Sequence, residues 1–144
     1  MQKFPHHYTA TASGAPTGTV ATSSPDLPDL AVDGPPEFGG PGGVWSPETL
    51  MMAAVADCFV LTWRSVATVN KFDWTDLSVD ASGVLDRVER VTRFTEIHLT
   101  VRLTLPPGAD QEQAEKLAHR AEAACLVTNS MTAPVTLQLE VLQG

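Results

Sequence analysis

The most constraining feature of the sequence is a long apolar stretch, Leu50 to Val69, rich in Ala, Val and Met. Directly before it, Ser46-Pro47-Glu48 has the pattern of a helix start, with Ser as N-cap, Pro at the first helical position and an acid in the first turn. The pattern predicts a helix over residues 47–70. Because this helix is apolar on nearly all sides, we expect it to be central and buried on most faces.

The same stretch is long enough to suggest a membrane span, but two charged residues interrupt it. Asp57 and Arg64 lie within it, and charges inside a bilayer are costly. The N-terminus, Met1 to Ala10, has no apolar segment of the signal-peptide type. The sequence therefore predicts a cytoplasmic protein that does not contact a membrane.

The net charge of the chain limits the classes of molecule that it is expected to bind. The 144 residues carry a net charge of −8, and no Lys or Arg occurs between Phe4 and Trp63. Binding to nucleic acid needs clustered basic side chains, so we expect no nucleic-acid partner. A chain of this length fits one domain.

Around the long helix, the patterning predicts short strands and a second helix. Thr-rich segments flank a Gly-Ala-Pro turn, two later segments alternate apolar and polar residues, and a charged bend separates that pair over Asp86 to Arg93. The expected elements are an N-terminal β-hairpin (8–24), a Pro/Gly loop (25–45) with a short strand at Leu30 to Val32, the central helix (47–70), strands 77–86 and 94–105, a helix (110–126) and a strand (135–141). This order predicts a single α+β domain over 1–144, with antiparallel hairpins packed on the helices.

The sequence contains two cysteines, Cys58 in the long helix and Cys125 at the end of the second. Two cysteines are too few for a disulfide framework of the secreted type, and their separation excludes both CxxC chemistry and a zinc knuckle. Three interpretations stay open: two inert core thiols, one reactive thiol, or a redox pair. Counts alone favour inert thiols, because free cysteine is among the most buried residue types.

The residues around both cysteines resemble one known family. The stretches WSPETL (45–50) and AAVADCF (53–59) resemble the helix of the OsmC/Ohr family, the osmotically inducible and organic hydroperoxide resistance proteins. That helix has a Pro-Glu-x-Leu start and a Cys-Phe pair ten positions after the Glu, which is the spacing of Glu48 and Cys58. CLVTNS (125–130) resembles the Cys-Pro-x-Ser-Asn stretch of the family. The resemblance implies an OsmC-like fold and an intertwined two-fold dimer.

The resemblance also implies thiol peroxidase chemistry in oxidative-stress defence. Cys58 would attack the O–O bond of an organic hydroperoxide, or of hydrogen peroxide, and become a sulfenic acid. Cys125 would resolve the sulfenic acid as a disulfide, which an external dithiol would reopen. The implied chemistry needs no cofactor and no metal.

Glu48 adds an argument for a homodimer. Ten helical residues at ~1.5 Å rise place it roughly 15 Å from Cys58 on the same helix. If this carboxylate belongs to the active site, as the resemblance implies, it comes from a second subunit and orients groups there. The alternative is an acid that the helix dipole favours in the first turn.

Two features depart from the family pattern. The family supplies an Arg from the N-terminal hairpin region, and this sequence has none there. Replacement cations for activating Cys58 are Arg87, Arg90 and Arg93 in the charged bend, or His6 and His7, each of which is otherwise an ordinary surface residue. Leu126 also stands where the family often has Pro.

The sequence leaves further interpretations to consider. The long loop, with Phe38, Trp45, Met51 and Met52, could wall a pocket for an apolar hydroperoxide, although core packing explains these residues equally well. The chain could also be a catalytically weak or inactive member of the fold that binds an apolar or electrophilic small molecule. A cysteine hydrolase would need a His beside Cys58, and the sequence shows no obvious one.

Overall fold

The computed structural model describes all 144 residues. The chain divides into two compact units, Met1–Met51 and Met52–Gly144, with the boundary inside the long helix. Each unit has its own three-stranded sheet. The predicted α+β class is confirmed by this mixture of helices and sheets.

The N-terminal unit has a small antiparallel sheet in the order β1-β2-β3. Its strands are β1 (Thr11–Ser13), β2 (Val20–Ser23) and β3 (Leu30–Val32), shorter than the predicted hairpin over 8–24. A 3₁₀ turn, Pro36–Phe38, follows within the Pro/Gly loop. Val32 is the one hydrophobic residue of this unit that is buried. A sheet of such short strands has little core of its own.

The loop after the 3₁₀ turn folds back on itself. The N–H of Gly40 donates a hydrogen bond to the carbonyl of Pro35 at 3.0 Å. A Cβ on Gly40 would lie 1.7 Å from the carbonyl oxygen of Gly34, so only glycine fits at this crossing.

The long helix, α1, spans Pro47–Val69 and begins with a reciprocal cap. The hydroxyl of Ser46 accepts a hydrogen bond from the N–H of Thr49 at 3.1 Å, and the hydroxyl of Thr49 accepts one from the N–H of Ser46 at 2.9 Å. This is a capping box in which Thr replaces the usual Glu or Gln. The predicted helix start is therefore correct.

The prediction that α1 is buried on most faces is wrong for the single chain. Its buried residues recur every four positions and so form one stripe: Val55, Phe59, Trp63 and Ala67. The apolar side chains Leu61 and Val69, on other faces, are 57% and 81% exposed. The composition of a helix gives its overall apolarity, but it does not say how many elements of the same chain cover it. By length and composition alone, α1 would also be able to cross a membrane.

The C-terminal unit is built on a larger sheet in the order β4-β5-β6. The strands are β4 (Asp76–Val88), β5 (Val91–Leu105) and β6 (Val135–Gln143). β4 and β5 are antiparallel and extend through the predicted charged bend, so only Glu89 and Arg90 form the turn. Both have positive φ, 52° and 68°, as a type I′ hairpin requires. The expected long bend is therefore wrong.

The third strand enters the sheet by a crossover. β6 pairs with β5 in parallel, so the sheet is not made of antiparallel hairpins alone. Because parallel neighbours need a long connection, the second helical segment bridges from one end of the sheet to the other. The inward side chains of β5 are fully buried and form the centre of the core: Ile97, Leu99, Val101, Leu103 and Leu105.

The predicted helix over 110–126 is two helices. α2 spans Gln111–Ala124, and the carboxylate of Asp110 caps it by accepting a hydrogen bond from the N–H of Gln113 at 3.0 Å. Cys125 is extended, with ψ 108°, and a short helix, α3 (Leu126–Asn129), follows it. The prediction missed this break because the residues around it have no Gly or Pro to mark a helix end.

Candidate functional site

Cys58 lies in the middle of α1 beside the buried stripe, and its side chain is half-buried. One helical turn later, the hydroxyl of Thr62 lies 3.9 Å from the Cys58 sulfur. Residues four apart on a helix are neighbours, so this contact follows from the helix itself. Cys58 is a free thiol.

Cys125 is completely buried at the junction between α2 and α3. Polar side chains hold this junction. The Thr128 hydroxyl donates to the Cys125 carbonyl at 3.2 Å, the Asn129 amide donates to the Ala123 carbonyl at 3.1 Å, and the Ser130 hydroxyl donates to a carbonyl one turn earlier at 2.8 Å. The Thr-Asn-Ser part of the motif therefore positions the turn that carries Cys125.

The junction brings hydrogen-bond donors to the Cys58 sulfur. Burial raises the pKa of the Cys58 thiol, but these hydrogen bonds outweigh burial, so the pKa lies below its ordinary value. In decreasing order of effect, the donors are the backbone N–H of Val127, the thiol of Cys125, the hydroxyl of Thr62 and the backbone N–H of Leu126. The first N–H groups of a helix have no partner within it, which leaves those of α3 available.

The second thiol is shifted in the opposite direction. Burial raises the pKa of the Cys125 thiol, and hydrogen bonds from the backbone and side chain of Thr128 lower it only in part. Donation to Cys58 and the nearby charge of a Cys58 thiolate raise it further. Cys58 is therefore the more acidic of the two thiols.

None of the expected cations contributes to the lowered pKa of Cys58. Arg87 lies on β4, Arg90 lies in the hairpin turn and Arg93 lies on β5, and all three are exposed. His6 and His7 precede β1 in the N-terminal unit and do not contribute either. Backbone N–H groups and neighbouring hydroxyl and thiol groups lower the pKa of Cys58. The sequence predicts a basic side chain in this role.

Leu126 departs from the family pattern, and this departure adds one hydrogen-bond donor for Cys58. A proline at this position would have no N–H, whereas the N–H of Leu126 is one of the donors to Cys58. Two residues in the sequence could have indicated these hydrogen-bond donors. Thr62 follows Cys58 by one helical turn, and Leu126 adds a backbone donor where the family often lacks one.

Cys58 opens into a surface depression of about 460 Å³ in the C-terminal unit. The depression is lined by Ala54, Asp57, Cys58, Leu61, Thr62, Ser65, Leu126 and Val127. None of the four large residues predicted to wall a pocket is among them. Met52, one of the four, instead packs against the core near Gly83.

Glu48 lies in the first turn of α1, ten residues before Cys58. It lines a separate cavity of about 450 Å³ in the N-terminal unit, together with Phe38, Asp33 and mainly apolar neighbours. Its Oε2 atom is buried and has no hydrogen-bond partner in the chain. A buried carboxylate oxygen without a hydrogen bond is energetically unfavourable. A donor from outside the chain would therefore stabilise it.

No group of three or more His, Cys, Asp or Glu residues lies close enough together to hold an ion. The site consists of two free thiols that affect the pKa of one another, one with a lowered and one with a raised pKa. Such a pair can form a thiolate nucleophile and then a disulfide.

Comparison with known proteins places this site in a family. The sequence profile described as OsmC-like protein matches residues 40–140. An uncharacterized protein of Acinetobacter baylyi is 31% identical over 134 residues, covering 92% of this chain and 90% of the relative. Peroxiredoxin OsmC of Escherichia coli is 29% identical over 124 residues, covering 86% of this chain and 85% of the relative.

A solved structure supports the same assignment. An organic hydroperoxide resistance protein OsmC of Legionella pneumophila is 30% identical and matches with a TM-score of 0.74, covering 97% of this chain and 99% of the other. The fold predicted from the two cysteine motifs is confirmed. The chain belongs to the OsmC-like family.

Proposed function

We propose that this protein is a thiol-dependent peroxidase that reduces organic hydroperoxides. The observation that carries the proposal is the half-buried Cys58 thiol, whose pKa is lowered in part by the second thiol, Cys125. A peroxidatic cysteine reacts as the thiolate and must be reachable from solvent, and both the lowered pKa and the partial exposure of Cys58 favour this role. The named relatives in Escherichia coli and Legionella pneumophila agree with redox chemistry.

The first step would use both thiols. The Cys58 thiolate attacks the terminal oxygen of the hydroperoxide, so that an S–O bond forms and the O–O bond breaks. Cys125 is the adjacent group that still bears a proton, and it passes this proton to the departing alkoxide, which leaves as the alcohol. Cys58 is now a sulfenic acid and Cys125 a thiolate.

The second step would close the cycle. The Cys125 thiolate attacks the Cys58 sulfur, so that the S–S bond forms and hydroxide leaves, to be protonated by solvent. An external dithiol then reduces the disulfide by exchange and is itself oxidised. Because Cys125 is fully buried, the reductant would attack at the more exposed Cys58 sulfur.

We also propose that two copies form a homodimer. In the single chain α1 buries one stripe and leaves other apolar residues exposed, among them Leu61 at 57%. The N-terminal unit buries one hydrophobic residue only. A second copy would cover such surfaces, and it would offer the unpartnered Glu48 oxygen a hydrogen-bond donor. A stable monomer in light scattering after size exclusion would contradict this.

The test of the peroxidase proposal is consumption of cumene hydroperoxide in the presence of a dithiol. Wild-type protein should show saturable turnover, and Cys58→Ser should show only the background reaction between dithiol and hydroperoxide. Turnover that is absent in the wild type, or indifferent to Cys58, would support the alternative of a binding protein without turnover. The lack of a basic group near Cys58 is the observation that favours that alternative.

A further inference from the structure

Three hydrogen-bonded side chains lie on the outer face of β5 and β6. The inward side chains of β5 on either side of His98, Ile97 and Leu99, are buried in the core, so His98 points away from the core. Glu96 lies two residues before His98 and shares its face, and Thr136 of β6 is the register partner of His98. The side chains of His98 and Glu96 are 43% and 56% exposed, and Thr136 is exposed.

The two ring nitrogens of His98 have different partners. Nδ1 is hydrogen-bonded to the hydroxyl of Thr136, and Nε2 lies 3.2 Å from a carboxylate oxygen of Glu96. Because a carboxylate only accepts hydrogen bonds, the proton of the neutral ring is on Nε2 and the ring accepts at Nδ1. The Thr136 hydroxyl therefore donates its hydrogen bond to an unprotonated ring nitrogen.

This arrangement has the three parts of an activated hydroxyl: the nucleophile, a base that takes its proton, and a group that orients the base. The same cluster could serve only to link β5 to β6, as the ion pair between Arg102 and Glu140 does at 3.1 Å. A link needs a hydrogen bond in either direction, whereas a nucleophile needs a ring that accepts. The carboxylate on Nε2 selects the accepting form, which favours the nucleophile.

We propose that Thr136 is an acyl-transfer site that takes acyl groups from small activated esters and thioesters, with His98 as its general base and Glu96 as the positioning residue. The proposal goes beyond the peroxidase function and uses neither cysteine. The surfaces that a second copy would cover belong to α1 and to the N-terminal unit. They do not include this face of the sheet, so the cluster stays accessible in the homodimer.

The transfer would take place in two steps. The Thr136 oxygen attacks the carbonyl carbon while its proton passes to Nδ1 of His98, the bond to the leaving group breaks, and His98 returns the proton to the leaving alcohol or thiol. The product is an ester at Thr136. Water then attacks this ester, again with a proton passing through His98, and releases the carboxylic acid and the free hydroxyl.

The probe is p-nitrophenyl acetate, applied to the full-length protein. Because thiols and amines also react with this ester, the acetyl group is located by fragmentation of the peptide that contains Thr136. Thr132 is an exposed hydroxyl before β6 that forms no hydrogen bond to a histidine, so it is the internal control. Thr136 should be acetylated about a hundredfold faster than Thr132, which is the low end of what a positioned general base contributes. Equal rates at the two hydroxyls would overturn the proposal.

Variants then assign the roles. His98→Gln removes the base and should reduce the acetylation of Thr136 to the rate of Thr132, while Thr136→Ser keeps a hydroxyl and should stay reactive. Glu96→Ala should slow the reaction, and Glu96→Gln should retain most of the rate, because its amide oxygen accepts the same hydrogen bond from Nε2. Variants that change the melting temperature without changing the acetylation rate would show that the cluster only links the strands, and the proposal would be wrong.

Discussion

Cys58 and Cys125 carry the same thiol group, but their pKa values are shifted in opposite directions. Cys58 is half-buried on a continuous helix and has a lowered pKa, whereas Cys125 is fully buried at a helix junction and has a raised pKa. Burial acts in the same direction on both. The difference arises because the backbone N–H groups of Val127 and Leu126 lower the pKa of Cys58, while Cys125 is itself one of the donors.

The contrast between the two cysteines indicates that neutral donors alone can lower the pKa of a thiol. Charge-assisted hydrogen bonds from neutral donors are about twice as strong as those between neutral groups. Several of them converge on Cys58 and outweigh its desolvation. Because three of the four donors belong to the junction at Cys125, we expect a change there to alter the reactivity of Cys58.

The largest expected effect comes from removing the resolving partner. With Cys125→Ser, the first reaction with hydroperoxide should still form a sulfenic acid at Cys58, but no disulfide can follow. Excess hydroperoxide should then convert Cys58 to the sulfinic acid, and turnover with dithiol should fall steeply. Mass spectrometry of the peptide that contains Cys58 measures this. A disulfide-free variant with undiminished turnover would show that Cys125 does not resolve.

A smaller effect should follow from removing one backbone donor with Leu126→Pro. Proline suits this position, because it is the first residue of α3 and the preceding Cys125 is already extended. Loss of the weakest of the four donors should lower the alkylation rate of Cys58 at neutral pH about twofold, with the pKa moving upward. Leu126→Ala keeps the N–H and is the matched control. Equal rates for Leu126→Pro and Leu126→Ala would exclude a role for this donor.

An effect of similar size should come from Thr62→Val, which removes the long hydroxyl contact of 3.9 Å. The alkylation rate of Cys58 at neutral pH should fall about twofold, since a long contact to sulfur is weaker than an ordinary hydrogen bond. Thr62→Ser should restore the rate. Thr68→Val, at an exposed position on the same helix, controls for the change in helix propensity. A Thr68→Val variant as slow as Thr62→Val would assign the effect to the helix.

Much of the fold could be predicted from local patterns. Ser46-Pro47 marks the start of α1, and the alternation over Ile97 to Leu105 marks a strand whose inward residues are buried. The parallel pairing of β6 and the tight turn at Glu89-Arg90 could not, because both depend on which segments meet in space. Glu89 and Arg90 adopt positive φ without being glycine, so composition gives no signal for the turn.

The candidate site was predicted in part. Its two thiols follow from the motifs around Cys58 and Cys125, but the groups that act on Cys58 do not. Backbone N–H groups have no residue type, so the sequence directed attention to side chains such as Arg87 and Arg93, which lie elsewhere. The break in the helix at Cys125, which exposes those N–H groups, depends on backbone geometry that periodicity did not reveal.

Cys58 is more acidic than Cys125, because hydrogen-bond donors lower the pKa of the first thiol and burial raises that of the second. The direct measurement is the rate of iodoacetamide alkylation at each cysteine of the reduced protein as a function of pH, followed by mass spectrometry of the two peptides. We expect the alkylation rate of Cys58 to reach its midpoint below pH ~8.5, the value of an ordinary cysteine, and that of Cys125 to reach it above this value. The reverse order, or two ordinary midpoints, would show that Cys58 is not the more acidic thiol.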